Sequence, residues 1–300
     1  MAKVVCVGIS VFDYVFRVER LPEAHIKYYA LGRLEVSGGI AANAARAVAR
    51  LGGEAVLVSR VGDDLPGRGV RDELARERID LTGLHTLAGA RTSLSAVIID
   101  PSGERMLVND TDPRTLQGVE GVAPELFAGA DVVLADTRWA DGARAAVHAA
   151  CDLGVPSVLD FDRAPDHGGA EELLARASHI VFGRQGLAQL TGHEDAARGL
   201  RHARELSPAW LAVTSSAEGV YWLDGDRVRH EPAFAVETVD TLGAGDIFHA
   251  AFALALAEGR DERAALRFAN AAAALKCTRP GGGAGAPWRH EVETFLTERM

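Results

Sequence analysis

Short, nearly uninterrupted apolar runs alternate along this chain with longer stretches in which apolar residues return every three or four positions. VVCVGI, EAVLVSRVG, DVVLAD, PSVLDF, HIVFG and WLAVTS are of the first kind. A strand apolar at nearly every position is covered on both faces, as in a buried parallel sheet. IAANAARAVARLGG, GRGVRDELARERI, DGARAAVHAACDLG, EELLARA and EDAARGLRHARELS are of the second kind and predict helices with one apolar face. Gly52 and Gly154 close two of these patterns, where a helix C-terminal cap favours glycine. The alternation predicts an α/β fold, a mostly parallel sheet with helices on both faces. Such sheets take their ligands at the carboxyl ends of the strands, where loops converge.

Two stretches interrupt the alternation. Residues 13–36 and 91–110 have the pattern of strand pairs, the second turning at Asp100-Pro101-Ser102-Gly103. Inserted this early, they predict a small β lid over the ligand edge of the sheet. A further hairpin, GVYWLDGDRVRHEPAFAV, follows later. There is no internal repeat, and the Gly281–Gly285 cluster is too short for a linker. The expectation is one domain over 1–300 carrying the lid segments.

Composition narrows the function classes. The formal net charge is -10 and no basic block stands out, which argues against a nucleic-acid surface. Cys6, Cys151 and Cys277 are odd in number and far apart, the pattern of reduced cysteines and not of a disulfide framework. The N-terminus enters a strand at once, with no leader pattern, and no apolar run reaches membrane-spanning length. The expected address is the cytoplasm, with no membrane partner.

The candidate chemistry begins at DTLGAGD, Asp240 to Asp246, directly before the apolar run IFHAAFALALA. A capping residue alone would not require two glycines and two aspartates in seven positions. Backbone N–H groups at a helix start, with the helix dipole behind them, form a socket for an anion. Phosphoryl transfer makes this demand, because it needs positioning and charge stabilisation more than covalent chemistry. The amides of Ala244, Gly245 and Asp246 are candidates to hold the developing charge, and Asp246 to take a proton from an attacking hydroxyl.

DTLGAGDIFHAAFA and SGGIAANAARAVARLGGEAVLVSRVGDDLPG resemble the C-terminal and N-terminal signatures of the ribokinase/PfkB family of carbohydrate kinases, each at the expected end of the chain. The resemblance implies a ribokinase-like fold with a β lid, ATP as donor, magnesium bound with the nucleotide, and pairing of lids into a homodimer. It implies Asp246 as catalytic base and Gly243, Ala244 and Gly245 as anion hole. Asp13, Gly38, Gly39 and Asn43 match the sugar site, and a neutral sugar needs such paired donors and acceptors. Thr214, Gly219 and the TRPGGGAG loop at Gly281 match the nucleotide side, and Asp240 matches a monovalent-cation position, implying potassium. One departure stands out. Relatives usually carry Asn-x-x-Glu before Leu-Thr-Gly, whereas FGRQGLAQLTG has Gly183 and Gly186 at those positions.

GISVFDYVFRVERLP, VVLADTRWADGARAA and AALKCTRPGGGAGAP resemble one subgroup, the sulfofructose kinases, which also lacks Asn-x-x-Glu. That resemblance implies a sulfonate pocket at Lys27, Asn109 and Arg138, and 6-deoxy-6-sulfofructose as substrate. A guanidinium, an ammonium and an amide do suit a fixed anion. A phosphate would suit the same pocket, so a kinase for fructose-6-phosphate or tagatose-6-phosphate is the nearest competitor, with fructose or ribose beyond it. A dehydrogenase would need a G-x-G-x-x-G turn after the first strand, and GISVFD lacks it. A silent sugar sensor would lack the base, yet Asp246 is present. The histidines show no metal-ligand spacing.

Overall fold

The computed structural model describes residues 1–23, 25–102, 104–165 and 168–299. In chain order its elements are β1 (Lys3–Val7), β2 (Val11–Arg17), β3 (Gly32–Gly38), α1 (Ile40–Arg50), β4 (Glu54–Gly62), α2 (Leu65–Leu74), β5 (Ile79–Asp80), β6 (Leu84–Leu87), β7 (Ser93–Ile99) and β8 (Arg105–Asp110). There follow β9 (Val132–Asp136), α3 (Ala140–Leu153), β10 (Ser157–Phe161), α4 (Ala170–Arg176), β11 (His179–Gly183), α5 (Arg184–Thr191), α6 (Ala196–Leu206) and β12 (Trp210–Thr214). The chain closes with β13 (Val220–Asp224), β14 (Arg227–Glu231), α7 (Ala244–Ala257), α8 (Glu262–Cys277) and α9 (Arg289–Thr297).

The large sheet runs β14-β13-β12-β11-β10-β9-β1-β4-β5, with β6 also paired to β4. It is parallel from β5 to β12 and ends in the antiparallel hairpin β12-β13-β14. All six apolar runs named above lie in it as parallel strands. Their residues alternate between two cores. Val4 and Cys6 face the side of α1, α7 and α8, while Val5 and Val7 face the side of α3, α4 and α6. Two covered faces are what make these strands apolar at nearly every position. The Cys6 thiol is wholly buried there, which pushes its pKa far up and leaves it unreactive.

Some boundaries differ from the expected ones. The helix foreseen from Gly67 starts two residues earlier, because the Asp64 side chain accepts the Gly67 N–H at 3.0 Å as its cap, and it ends at Leu74. Helix α5 was not legible as a helix, being short with a glycine in its first turn. Gly154 caps α3 at φ 66°, as its position suggested. In the turn foreseen after β7, Gly103 lies outside the described residues.

The lid is a four-stranded sheet, β3-β2-β7-β8. Both expected segments contribute, but β2 and β3 are joined by the long loop after Arg17 instead of a tight turn. Val15, Val36 and Val97 form the lid's small core, with Ala284 packed against it. The lid register places Asp13 opposite Ser95, and Ser95 opposite Asn109. These three therefore stand in a row across β2, β7 and β8 on one face.

Strand order reverses around β1, which pairs with β4 on one side and β9 on the other. The crevice at the carboxyl ends of β1 and β9 is the place where such a sheet binds its ligand. Among the described residues no helix is long and apolar enough to cross a membrane.

Candidate active site

A cavity of about 630 Å³ occupies that crevice. Ile9 lines it from the end of β1, Thr137 and Arg138 from β9, and Asp162 and Arg163 from β10. The lid supplies Asp13, Ser95 and Asn109, and the helix starts supply Gly39, Asn43, Gly243 and Asp246. A hollow of about 690 Å³ elsewhere, among Trp210, Trp222, Arg229 and Arg263, contains none of the expected site residues.

Two helix N-termini meet in the cavity. Helix α1 begins at Gly39, whose φ is 92° and where a Cβ would stand 2.6 Å from the Ile9 carbonyl and 2.8 Å from the Val11 nitrogen. Only glycine fits both the dihedral and the space. One turn along, the Asn43 side-chain N–H donates to Asp246 Oδ2 at 2.7 Å. Helix α7 begins at Gly243, φ 77°, and carries Asp246 in its first turn. The Asn43 amide also packs directly against Gly283. Asn43 thus touches both the base candidate and the glycine-rich loop after α8.

The amides of the α7 start do not all remain open. Ala244 N–H turns back to the Thr241 carbonyl at 3.2 Å, so it is not a donor to an anion in this geometry. Gly245 and Asp246 keep N–H groups without a backbone acceptor among the described residues.

Electrostatics concentrate on carboxylates. Burial raises the Asp246 pKa to about 6, with Asp162 and Asp13 adding repulsion and the Asn43 hydrogen bond opposing it. Burial also raises Asp13 to about 6, against a hydrogen bond from Ser95. Its carboxylate lies over Gly38, where any side chain would displace it. Asp136, raised to about 7 by burial, is structural: it accepts Ile9 N–H at 2.8 Å and Arg138 N–H at 3.0 Å, pinning the ends of β1 and β9 together.

Sequence reasoning missed Asp160 and Asp162 at the end of β10. Burial and repulsion from Asp162, Asp246 and Asp136 push the Asp160 pKa well up. Asp160 Oδ2 lies 3.1 Å from His249 Nδ1, a ring whose pKa burial lowers to about 4. The Oδ1 atoms of Asp160 and Asp162 are buried with no protein partner among the described residues. The only sequence signal was two aspartates alternating in LDFD at a strand end.

The residues matched to the sulfonate pocket do not all converge. Asn109 and Arg138 line the cavity, but Lys27 is exposed in the loop between β2 and β3 and is not among the lining residues. The loop leaves the lid sheet before Lys27, so membership of the lid segment did not bring it to the ligand face. Arg138 pairs with neither Asp136 nor Asp141 through its guanidinium; its Nε lies 3.9 Å from Asp162 Oδ2.

Thr214 and Gly219 sit together at the β12–β13 turn, and Gly281 precedes a 3-10 turn over Gly282–Gly285. None of the three lines the cavity. Gly281 is tied instead to Asp240, whose Oδ2 accepts the N–H of Gly281 at 3.0 Å and of Gly282 at 3.1 Å. Burial alone would raise the Asp240 pKa. The N–H groups of Leu242 and Gly282, with Lys276 alongside, outweigh that and hold it below the usual range.

A parallel α/β sheet, a β lid and an anion-receptive helix start opposite a carboxylate are the parts of a phosphotransferase acting on a small polar molecule. The sequence profile of the pfkB family carbohydrate kinases matches residues 1–289, and the chain belongs to that family. It is similar to an ATP-dependent ribose-1-phosphate kinase of Halopiger xanaduensis, 32% identical over all of both chains. Among solved structures it resembles a protein of Agrobacterium tumefaciens provisionally assigned as a ribokinase, at 41% identity, TM-score 0.94, and 99% and 98% coverage of the two chains. It also resembles Arabidopsis thaliana ribokinase complexed with ribose and ATP, at 25% identity, TM-score 0.85 and 99% coverage of both. The fold is the ribokinase fold, and the chain is an ATP-dependent carbohydrate kinase.

Proposed function

We propose that this kinase phosphorylates a hydroxyl of a neutral pentose or ketose held between Asp13 on the lid and Asp246 on α7. The observation that carries the reading is the cavity's charge. Asp13, Asp162 and Asp246 line it against Arg138 and Arg163, and the Arg138 guanidinium already faces Asp162. A carboxylate-rich wall accepts sugar hydroxyls and repels a second anion beyond the phosphates of ATP. Of the relatives described above, the ribokinases agree with a neutral sugar and the ribose-1-phosphate kinase with an anionic one, and none is a sulfofructose kinase.

In this reading Asp246 takes the proton of the attacking hydroxyl. A pKa of about 6 leaves it about nine-tenths ionised at pH 7 and still basic enough to serve. The amides of Gly245 and Asp246 receive the transferred phosphoryl oxygens. Thr214, Gly219 and Gly281 border the nucleotide. Asp13, with Ser95 beside it, orients the sugar from above.

Magnesium fits the residues present, though by another route than Asn-x-x-Glu. No group of three or more acidic, histidine or cysteine side chains among the described residues is arranged to hold a metal alone. Magnesium bound with a nucleotide needs only one or two carboxylates besides phosphate oxygens and water. Asp162, which lines the cavity and has an unpartnered buried oxygen, would supply one. A side chain at Gly186 would collide with the Phe161 carbonyl and stand 2.9 Å from the Asp162 carbonyl. The glycines thus let the end of β10 come up to the start of α5, which brings Asp162 beside the two positions that lack the motif. Bound there with the nucleotide, the ion would supply positive charge to neutralise the phosphate oxygens.

A second reading, an anionic sugar such as ribose-1-phosphate or sulfofructose, is favoured by Asn109 and Arg138 on one wall. ADP release measured with ribose, fructose, ribose-1-phosphate, fructose-6-phosphate and 6-deoxy-6-sulfofructose decides between them. The neutral reading expects kcat/KM highest for ribose or fructose, with Arg138→Ala changing it by less than about fivefold. Tenfold preference for any anionic sugar, with loss on Arg138→Ala, would overturn it. The exposed side chains of Met106 and Val108 on β8, on the face away from Asn109, support pairing of two lids, checked by light scattering on the purified protein.

A further inference from the structure

The monovalent cation implied at Asp240 meets an obstacle in this structure. Lys276, in the last turn of α8, is completely buried. Its ammonium lies 2.6 Å from the Asp240 carbonyl oxygen and 3.1 Å from Asp240 Oδ2. These are a carbonyl and a carboxylate of one residue converging on one positive charge. A bound potassium would need the same oxygens. The ammonium already holds them, and a buried cation there would face a like charge at contact distance.

We infer that Lys276 is a tethered cation, which does for this enzyme what a diffusible potassium ion would do and makes its activity independent of monovalent salts. The surrounding contacts say what is held. Asp240 Oδ1 accepts Leu242 N–H at 2.8 Å and Oδ2 accepts the amides of Gly281 and Gly282. The Cys277 carbonyl, adjacent to Lys276, accepts Val239 N–H at 2.8 Å and Asp240 N–H at 3.1 Å. Neutralised by Lys276, Asp240 joins the end of α8, the glycine-rich loop and the turn that leads into Gly243. The C-terminal end of a helix favours a cation, which agrees with the position of Lys276 on α8. An ammonium offers up to three N–H donors, and two acceptors of Asp240 already lie within their reach. Lys276 is therefore a positioning residue for the α7 N-terminus. Its catalytic consequence rests on the reading that this N-terminus receives the phosphoryl group.

The test compares chlorides of potassium, sodium and tetramethylammonium at one ionic strength. Melting temperature and kcat/KM for the best sugar of the panel are measured in each. The wild type is expected to give the same melting temperature in all three, and kcat/KM values within twofold. Potassium raising either the melting temperature by several degrees or the rate tenfold would overturn the inference. Lys276→Ala opens the position, so its turnover is expected to fall at least tenfold in tetramethylammonium and to recover severalfold with potassium. A folded Lys276→Ala enzyme with wild-type turnover in all three salts would also overturn it. Should that variant not fold, the wild-type melting series still decides. Failure of the phosphoryl-transfer reading would look different: no ADP release in any salt, with the melting series unaffected.

Discussion

Replacing Asn43 with alanine removes the one side-chain donor on the Asp246 carboxylate among the described residues, the 2.7 Å hydrogen bond to Oδ2. That bond favours the ionised form and so lowers the pKa, which burial and two neighbouring carboxylates otherwise raise to about 6. A hydrogen bond to a charged group contributes about 1.5–3 kcal/mol. At 1.36 kcal/mol per unit this places the variant's Asp246 at roughly 7–8. The ionised fraction at pH 7 then drops from about nine-tenths to between about a half and a tenth. The kcat/KM for sugar should fall about 2- to 10-fold at pH 7 from protonation alone, and this part of the loss should vanish by about pH 9. A profile of kcat/KM from pH 5.5 to 9.5 reads the shift directly as a displaced acid limb. Asp13 also titrates near 6, but its hydrogen bond comes from Ser95, so Ser95→Ala is the control that moves Asp13 instead. An Asn43→Ala profile scaled down equally at every pH, with its acid midpoint unmoved, would refute the role assigned to this hydrogen bond.

Three further outcomes are expected. Asp246→Asn should melt as the wild type does and bind ATP, while kcat falls by about 10²–10⁴, and near-normal turnover would remove it as the base. Asp162→Asn should weaken magnesium-dependent ATP binding in calorimetry without changing binding of metal-free ATP; unchanged affinity in both would exclude it as a ligand. Gly186→Glu rebuilds half of the family's motif in sequence only. Its Cβ meets the backbone of Phe161 and Asp162, so a melting temperature lower by several degrees and no gain in magnesium affinity are expected.

The parts of the site that were legible in the sequence are those whose function depends on a local backbone shape. Gly39 and Gly243 each open a helix at positive φ, and the residues that follow, Asn43 and Asp246, are carried to their places by the first turn of that helix. Local geometry of this kind survives as a short pattern. Asp160 and Asp162 became part of the site only through the parallel register of β10 with β9 and β11, which no contiguous pattern encodes. Lys276 was hidden for a related reason. It sits in AALKC as an ordinary last-turn lysine, and the carboxylate that explains it is 36 residues away. One signal was available: a single ammonium directly after the apolar run AAAAL, where burial without a partner would be prohibitive.

Lys27 shows the converse. Lys27, Asn109 and Arg138 were grouped by resemblance to one subgroup, and neither resemblance nor membership of an element gives side-chain direction. Asn109 inherits its direction from strand alternation, since Asp13, Ser95 and Asn109 share a register row and hence a face. Arg138 inherits its position from the Asp136 carboxylate, which accepts its backbone N–H and fixes the chain leaving β9. Lys27 has neither constraint, because the loop from β2 to β3 imposes no periodicity, and its charge stays in water. Without it, the positive side of the implied sulfonate pocket falls to a guanidinium that already faces Asp162. The charge that a sulfonate or phosphate would require is therefore partly spent inside the protein, which supports the proposed neutral sugar.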